Sequence, residues 1–308
     1  MPHFNAQLIP AMVTPFKEDG NVDYGKMEAL AVHLVDSGCD GLLVNGTTGE
    51  SPTTTFDEKI QLIKTVQQAV QGKQVDGKNI QIMAGTGGNN TVKAVEETKK
   101  FADLGVDAIL SVVPYYSKPS QRGMVEHFSQ IAQAVSTEII IYNIPSRCVV
   151  LISPDTMATL HEKFPHIIGV KQSCPDMDAV SEITHKLPSQ TWLTWSGDDS
   201  LTLPMMACGA HGIISVQAHV TAPLMKEMID AFKAGNQSRA LELHLKQLHI
   251  GKELFFLPNP TVVKTCLSKL GHMGPTLRAP MVAPDAGEMQ RIDAVLKEIQ
   301  ALQLQGAC

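Results

Sequence analysis

The sequence has no cysteine framework, no basic stripe and no long apolar run. Its six cysteines, Cys39, Cys148, Cys174, Cys208, Cys266 and Cys308, are scattered, and none forms a CxxC pair. That excludes a disulfide scaffold or a zinc ribbon and reads as reduced thiols in a cytoplasmic protein. The formal net charge is −6, and no cluster of Lys and Arg interleaves with aromatics. Both features argue against a nucleic-acid partner, which needs a basic surface. No uninterrupted apolar run reaches the roughly 18 residues of a membrane span, so no membrane partner is expected. The opening MPHFNAQLIPAMVTPF lacks a charged segment followed by an apolar one, so no signal peptide is expected.

Signatures of bound cofactors are equally scarce. GTTGES at 46–51 lacks the Lys-Ser/Thr ending of a P-loop, and GTGG at 85–88 lacks the rest of a dinucleotide fingerprint. His244 and His249 are five apart on a helical pattern and face different ways. His161 and His166 flank Pro165 without an HExxH arrangement, so no metal is expected.

What is present is a regular alternation. A length of 308 residues suits one large domain or two ordinary ones, and 44% hydrophobic with 18% charged residues fits a globular chain. Eight short apolar runs recur: QLIPAMVTPF, GLLVNG, IQIMAGTG, DAILSVVPYY, EIIIYNIP, IIGVKQS, TWLTWSGD and GIISVQA. They lack the period-two pattern of half-exposed strands and suit strands buried on both faces of a parallel sheet. Between them lie amphipathic segments such as YGKMEALAVHLVDSG, which stops at Gly38, and TTFDEKIQLIKTVQQAV, which opens with a Thr cap and acidic residues. Eight such units predict an α/β fold, a (β/α)8 TIM barrel over residues 1–222, with an open doubly wound sheet as the alternative. Beyond about residue 222 only helical patterns follow, which predicts a C-terminal helical extension over 223–308.

In a barrel the C-terminal strand ends form the active-site face, and several runs end in polar groups. GVKQS at 169–173 ends a buried run with Lys171. An ordinary lysine there packs its stem and snorkels its head to water. A lysine desolvated in a barrel mouth instead has a lowered pKa and attacks carbonyl carbon as the free amine, giving a Schiff base. Tyr142 in YNIPSR is a candidate proton relay, or else a packed tyrosine bonded to backbone. GTTGES offers small residues and the hydroxyls of Thr47 and Thr48 to a bound carboxylate, or is simply a βα turn. Arg147 is either a solvated arginine or a bidentate carboxylate clamp. The fourth run is expected to end in Tyr115-Tyr116.

Together GTTGES, PYYSKPSQRG, YNIPSR, GVKQS and SGDD resemble the dihydrodipicolinate synthase / N-acetylneuraminate lyase superfamily of class I pyruvate aldolases, over almost the whole chain. The synthase branch is the more similar. The resemblance implies condensation of pyruvate with aspartate semialdehyde in diaminopimelate and lysine biosynthesis. Lys171 would carry the Schiff base, and Tyr142, Thr48 and Tyr116 the proton relay, with Tyr116 reaching in from a neighbouring subunit. Thr47, Gly197 and Ile214 would line the pyruvate pocket, and Arg147 would hold the acceptor carboxylate. It further implies a homotetramer, a dimer of dimers, and no metal or organic cofactor. This chain departs from many members at Gln172, where an acid is common, and at Cys148-Val149, where Thr-Gly is common. The alternatives are a lyase of acylated or 2-keto-3-deoxy sugar acids, and a pyruvate-binding regulator without turnover. In lysine-inhibited members the inhibitor sits in a cleft between subunits. Ser51, Asn89 and Tyr115 match that site. Phe56 and Lys59 replace residues that are often histidine, and Lys93 replaces one that is often glutamate. The resemblance therefore predicts weak inhibition by lysine.

Overall fold

The computed structural model describes residues 1–305; Cys308 lies outside the described residues. All eight apolar runs form strands: β1 (Leu8–Pro10), β2 (Gly41–Val44), β3 (Gln81–Thr86), β4 (Ala108–Val112), β5 (Glu138–Asn143), β6 (Ile167–Gln172), β7 (Leu193–Ser196) and β8 (Gly212–Ser215). They make one sheet in the order β1-β8-β7-β6-β5-β4-β3-β2. A parallel bridge between Ala11, just beyond β1, and Leu43 of β2 joins its two ends. Sequential neighbours and a closed circuit define a (β/α)8 barrel and exclude the open doubly wound sheet. No helix among the described residues is long and apolar enough to cross a membrane.

By its internal contacts the chain divides into two compact units, Met1–Gln7 with Gln81–Ile214, and Leu8–Ile80 with the chain from Ser215 onward. In the first unit the strands are buried on both faces, as their unbroken Ile/Val/Leu runs require. Two glycines allow close approach between neighbouring backbones. A Cβ on Gly169 would lie 2.2 Å from the Leu193 carbonyl oxygen and 2.8 Å from the Trp195 ring, and one on Gly212 would lie 2.2 Å from the Gln7 carbonyl oxygen. Gly169 thus opens GVKQS to admit Trp195, which is fully buried and donates through Nε1 to the Ala6 carbonyl at 2.8 Å.

The second unit holds β1, β2 and the C-terminal helices Ala218–Lys233, Gln237–Glu253, Thr261–Lys269 and Ala286–Gln305. The first of these runs across residue 222, with non-helical backbone at Thr221 and a proline at 223. Helix Phe56–Ala69 starts as expected: the Thr55 side chain accepts from the Glu58 N–H, and the Glu58 carboxylate accepts from the Thr55 N–H. A small hairpin, Gln74–Val75 with Lys78–Asn79, was not anticipated. Its turn is Asp76-Gly77, both at positive φ, and that Asp-Gly pair is a readable hairpin signal.

Candidate active site

In the first unit, Tyr142 on β5 and Lys171 on β6 are paired in register, so both side chains leave the same face of the sheet. The lysine Nζ lies 4.4 Å from the tyrosine ring centroid. Lys171 is only 6% exposed. Burial pulls its pKa down to about 8, helped by the Arg147 charge and opposed by Asp199. Burial pushes the Tyr142 phenol up to about 12, opposed by the Arg147 charge and the Ser173 hydroxyl.

At pH 7 a lysine of pKa 8 is about one-tenth free amine, against about one part in 2,500 for an ordinary lysine. The amine, not the ammonium, attacks carbonyl carbon. A nucleophilic Lys171 should therefore capture a small keto acid at an initial rate that rises roughly tenfold per pH unit below 8 and levels off above it. Timed quenching into borohydride measures this, and a rate that is flat from pH 6 to 9 would contradict it.

Arg147 sits on the exposed surface of a four-residue helix, Pro145–Cys148, that follows β5 directly. Its charge reaches both Lys171 and Tyr142. Gly197 lies against the lysine: a Cβ there would be 3.0 Å from Lys171 Cε and 1.9 Å from Ser173 Oγ. Ile214 is buried on β8. The two departures at 148 and 172 have local roles. Gln172 leaves the strand on the face opposite Lys171, and its Oε1 accepts from Asn143 Nδ2 at 2.9 Å. Cys148 Sγ donates to the Val113 carbonyl at 3.3 Å, and Val149 ends the helix at φ 62°.

The tyrosine pair differs from expectation. Strand β4 ends at Val112, because Pro114 removes a backbone donor, so Tyr115 and Tyr116 lie in the following loop. Tyr116 has φ 67° and is 86% exposed, so within the protomer it does not pack with Tyr142. Asn89 is exposed just before helix Thr91–Ala102, and Lys93 is exposed in that helix's first turn.

In the second unit, GTTGES forms a tight turn, Thr47–Gly49. Thr48 is buried, and its Oγ1 accepts from Asn259 Nδ2 at 2.9 Å. Thr47 is half-buried. The N–H groups of Gly49 and Glu50 donate within the turn, to the Gly46 and Thr47 carbonyls. Gly49 allows a close approach here, since a Cβ would lie 3.0 Å from the Met12 carbonyl oxygen. Glu50 is held in the left-handed region at φ 55° by two anchors. Its Oε1 accepts from Lys264 Nζ at 2.6 Å, and its Oε2 from the Arg278 N–H at 3.0 Å. Lys264 and Arg278 both stack on the Phe16 ring, at 4.3 and 4.4 Å. Arg278 also clamps Glu58 in bidentate fashion, holding that carboxyl down to about 2. Ser51 and Lys59 are half-buried on the same segment, and Phe56 is exposed.

Sequence reasoning passed over Ser173, Glu50, Asn259, Lys264 and Arg278. Glu50 lay inside a quoted motif, and a lysine within the apolar TVVKTC was a signal of its own. Asn259 and Arg278 carried none, because their partners are more than two hundred residues away.

Residues 5–299 match the dihydrodipicolinate synthetase family. A 4-hydroxy-tetrahydrodipicolinate synthase of Dehalococcoides mccartyi is 44% identical over 279 residues, covering 91% of each chain. A crystal structure of dihydrodipicolinate synthase from Aquifex aeolicus superposes with a TM-score of 0.91 at 44% identity, over 96% of this chain and 98% of that one. A structure of the Cyanidioschyzon merolae enzyme with lysine bound does so with a TM-score of 0.91 at 37% identity, over 97% and 99%. This chain therefore belongs to the dihydrodipicolinate synthetase family.

Proposed function

We propose that this chain is a 4-hydroxy-tetrahydrodipicolinate synthase, condensing pyruvate with L-aspartate 4-semialdehyde in cytoplasmic diaminopimelate and lysine biosynthesis. The observation that carries this reading is the buried Lys171, with its lowered pKa, paired in register with Tyr142. The free amine adds to C2 of pyruvate. Tyr142 gives a proton to the carbinolamine oxygen, water leaves, and an iminium forms. The iminium is the electron sink, so the reading requires no metal or organic cofactor. Loss of a C3 proton gives an enamine, which attacks the aldehyde carbon of the semialdehyde. The semialdehyde's own amine then displaces Lys171 as the ring closes, which restores the enzyme. In this reading Thr48 and Tyr116 complete the relay, while Thr47, Gly197 and Ile214 line the pocket. Arg147 holds the acceptor carboxylate. The barrel over 1–222 carries the chemistry, and the segment 223–308 contributes Asn259 behind Thr48. Borohydride should trap pyruvate on Lys171, and turnover should follow with aspartate semialdehyde but not with aldehydes lacking a carboxylate. Turnover with sugar aldehydes instead would favour a sugar-acid lyase.

The exposure of Tyr115, Tyr116, Val149 and Leu151 supports an oligomer, in this reading a dimer-of-dimers tetramer. If Tyr116 serves the neighbouring subunit, hybrids of Tyr116→Phe with Lys171→Ala subunits should regain activity that neither parent has. Absence of complementation despite demonstrated subunit exchange would place Tyr116 in its own chain's relay.

The proposed enzyme should be weakly inhibited by lysine. Lysine carries two ammonium groups and one carboxylate, and Lys93 presents a repelling charge where an attracting carboxylate would be needed. Steady-state assays with millimolar lysine test this, and a sub-millimolar inhibition constant would contradict it.

A further inference from the structure

We propose that Ser173 is a positioning residue for Tyr142, its hydroxyl donating to the tyrosine oxygen as the phenol releases its proton to the lysine-bound intermediate. The inference rests on the reading above, in which Lys171 and Tyr142 carry the covalent chemistry.

Three observations place the hydroxyl. Ser173 follows Lys171 by two positions, and its N–H continues the sheet ladder by donating to the Asn143 carbonyl at 2.9 Å. Strand alternation therefore sends Ser173 to the same face as Lys171 and Tyr142. Gly197 makes room for it: the position a Cβ would take there is 1.9 Å from Ser173 Oγ and 3.0 Å from Lys171 Cε. Serine hydroxyl and lysine stem thus flank the same small space. Finally, Ser173 Oγ is buried and has no hydrogen-bond partner within bonding distance among the described residues. Buried hydroxyls are ordinarily satisfied, and an exception in a site of this kind points to a bond formed during the reaction. The hydroxyl is nonetheless close enough to Tyr142 to oppose the upward push of burial on the phenol, short of a bond of full geometry in the resting protein.

The step balances without another reagent. The Tyr142 O–H bond breaks, its proton goes to the carbinolamine oxygen, and the C–O bond breaks to release water. The phenolate accepts from the Ser173 O–H, which stays intact. Abstraction of the C3 proton then restores the phenol as the enamine forms. A charge-assisted bond to the phenolate is stronger than one to the neutral phenol, so the serine favours the state in which the proton has moved.

Ser173→Ala and Ser173→Thr in the full chain test this, with kcat and KM for pyruvate measured from pH 6 to 9 and pyruvate trapping on Lys171 as the control. Ser173→Ala should lower kcat by about tenfold or more, since it removes one donor from a general acid–base step. The KM for pyruvate and the extent of trapping should stay within about twofold, while Ser173→Thr should restore most of the lost kcat because it keeps the hydroxyl. An unchanged kcat in Ser173→Ala would overturn the inference. So would a threonine variant, folded by circular dichroism, that is as slow as the alanine variant. A rise in KM at constant kcat would also overturn it, making Ser173 a pyruvate contact. A wild-type chain that traps no pyruvate on Lys171 sinks the functional reading and this inference together. Trapping with an unaffected alanine variant sinks the inference alone.

Discussion

Lys171→Ala should abolish both borohydride trapping of pyruvate and turnover, with a loss on the order of 10⁴-fold or more. In the proposed reading the lysine supplies the bond through which the keto acid becomes first an electron sink and then a carbon nucleophile, and neither Tyr142 nor Ser173 on the same face of the strands can replace it. Tyr142 is a phenol with its pKa pushed up to about 12, and Ser173 offers only a neutral hydroxyl. Lys171→Arg should be nearly as inactive, because a guanidinium does not deprotonate and cannot form the imine. Mass spectrometry of the reduced protein locates the adduct. An adduct on another lysine, or turnover within tenfold of wild type, would refute the assignment. Desolvation is the first cause of the lowered pKa, with the Arg147 charge adding to it and Asp199 opposing it, so the strand's burial does most to free the amine.

The largest expected loss of stability is Lys264→Met. Lys264 is fully buried, and its ammonium meets the Glu50 carboxylate, itself 4% exposed, at 2.6 Å. Burial lowers the lysine's pKa and Glu50 raises it, so the charged pair depends on both members. Removing the cation leaves a buried carboxylate bonded to the Arg278 N–H, with the Arg278 guanidinium already committed to Glu58. Breaking such a pair from one side costs about 3–5 kcal/mol. Guanidinium denaturation should show the midpoint falling accordingly. Replacing both members, Glu50→Gln with Lys264→Met, should recover most of the loss, since methionine can still lie on the Phe16 ring. A single variant as stable as wild type would mean that water or another cation compensates Glu50. Glu50 is also the left-handed residue that ends the Thr47–Gly49 turn, so in the proposed reading Lys264→Met should slow catalysis by loosening Thr47 and Thr48 even where the protein remains folded.

Much of this is legible in the sequence. The eight runs of Ile, Val and Leu marked eight strands, because a strand buried on both faces has no polar side to show. Thr55 and Glu58 announced a helix start through local hydrogen bonds alone. Lys171 and Tyr142 stood out because each placed a titratable group at the end of an apolar run, where burial shifts its pKa. At these caps, strands and strand ends the signal was local, and local bonds and burial were enough to set the outcome.

Contacts between distant segments decided the rest. Nothing in GVKQS tells that Ser173 would occupy the space that Gly197 leaves open, because that meeting depends on where two strand ends stop relative to each other. The Glu50–Lys264 pair joins residues 214 apart in the chain, and Asn259 reaches Thr48 across 211. Tyr116 is an exposed loop residue at positive φ and not a strand end, since the proline before the pair ends the ladder early, a local exception. Chemistry-bearing residue types are written in the sequence. Which of them are desolvated, paired or left without a partner is set only when the folded chain brings remote backbones within a few ångströms, because desolvation and hydrogen bonding act over that distance and not along the chain.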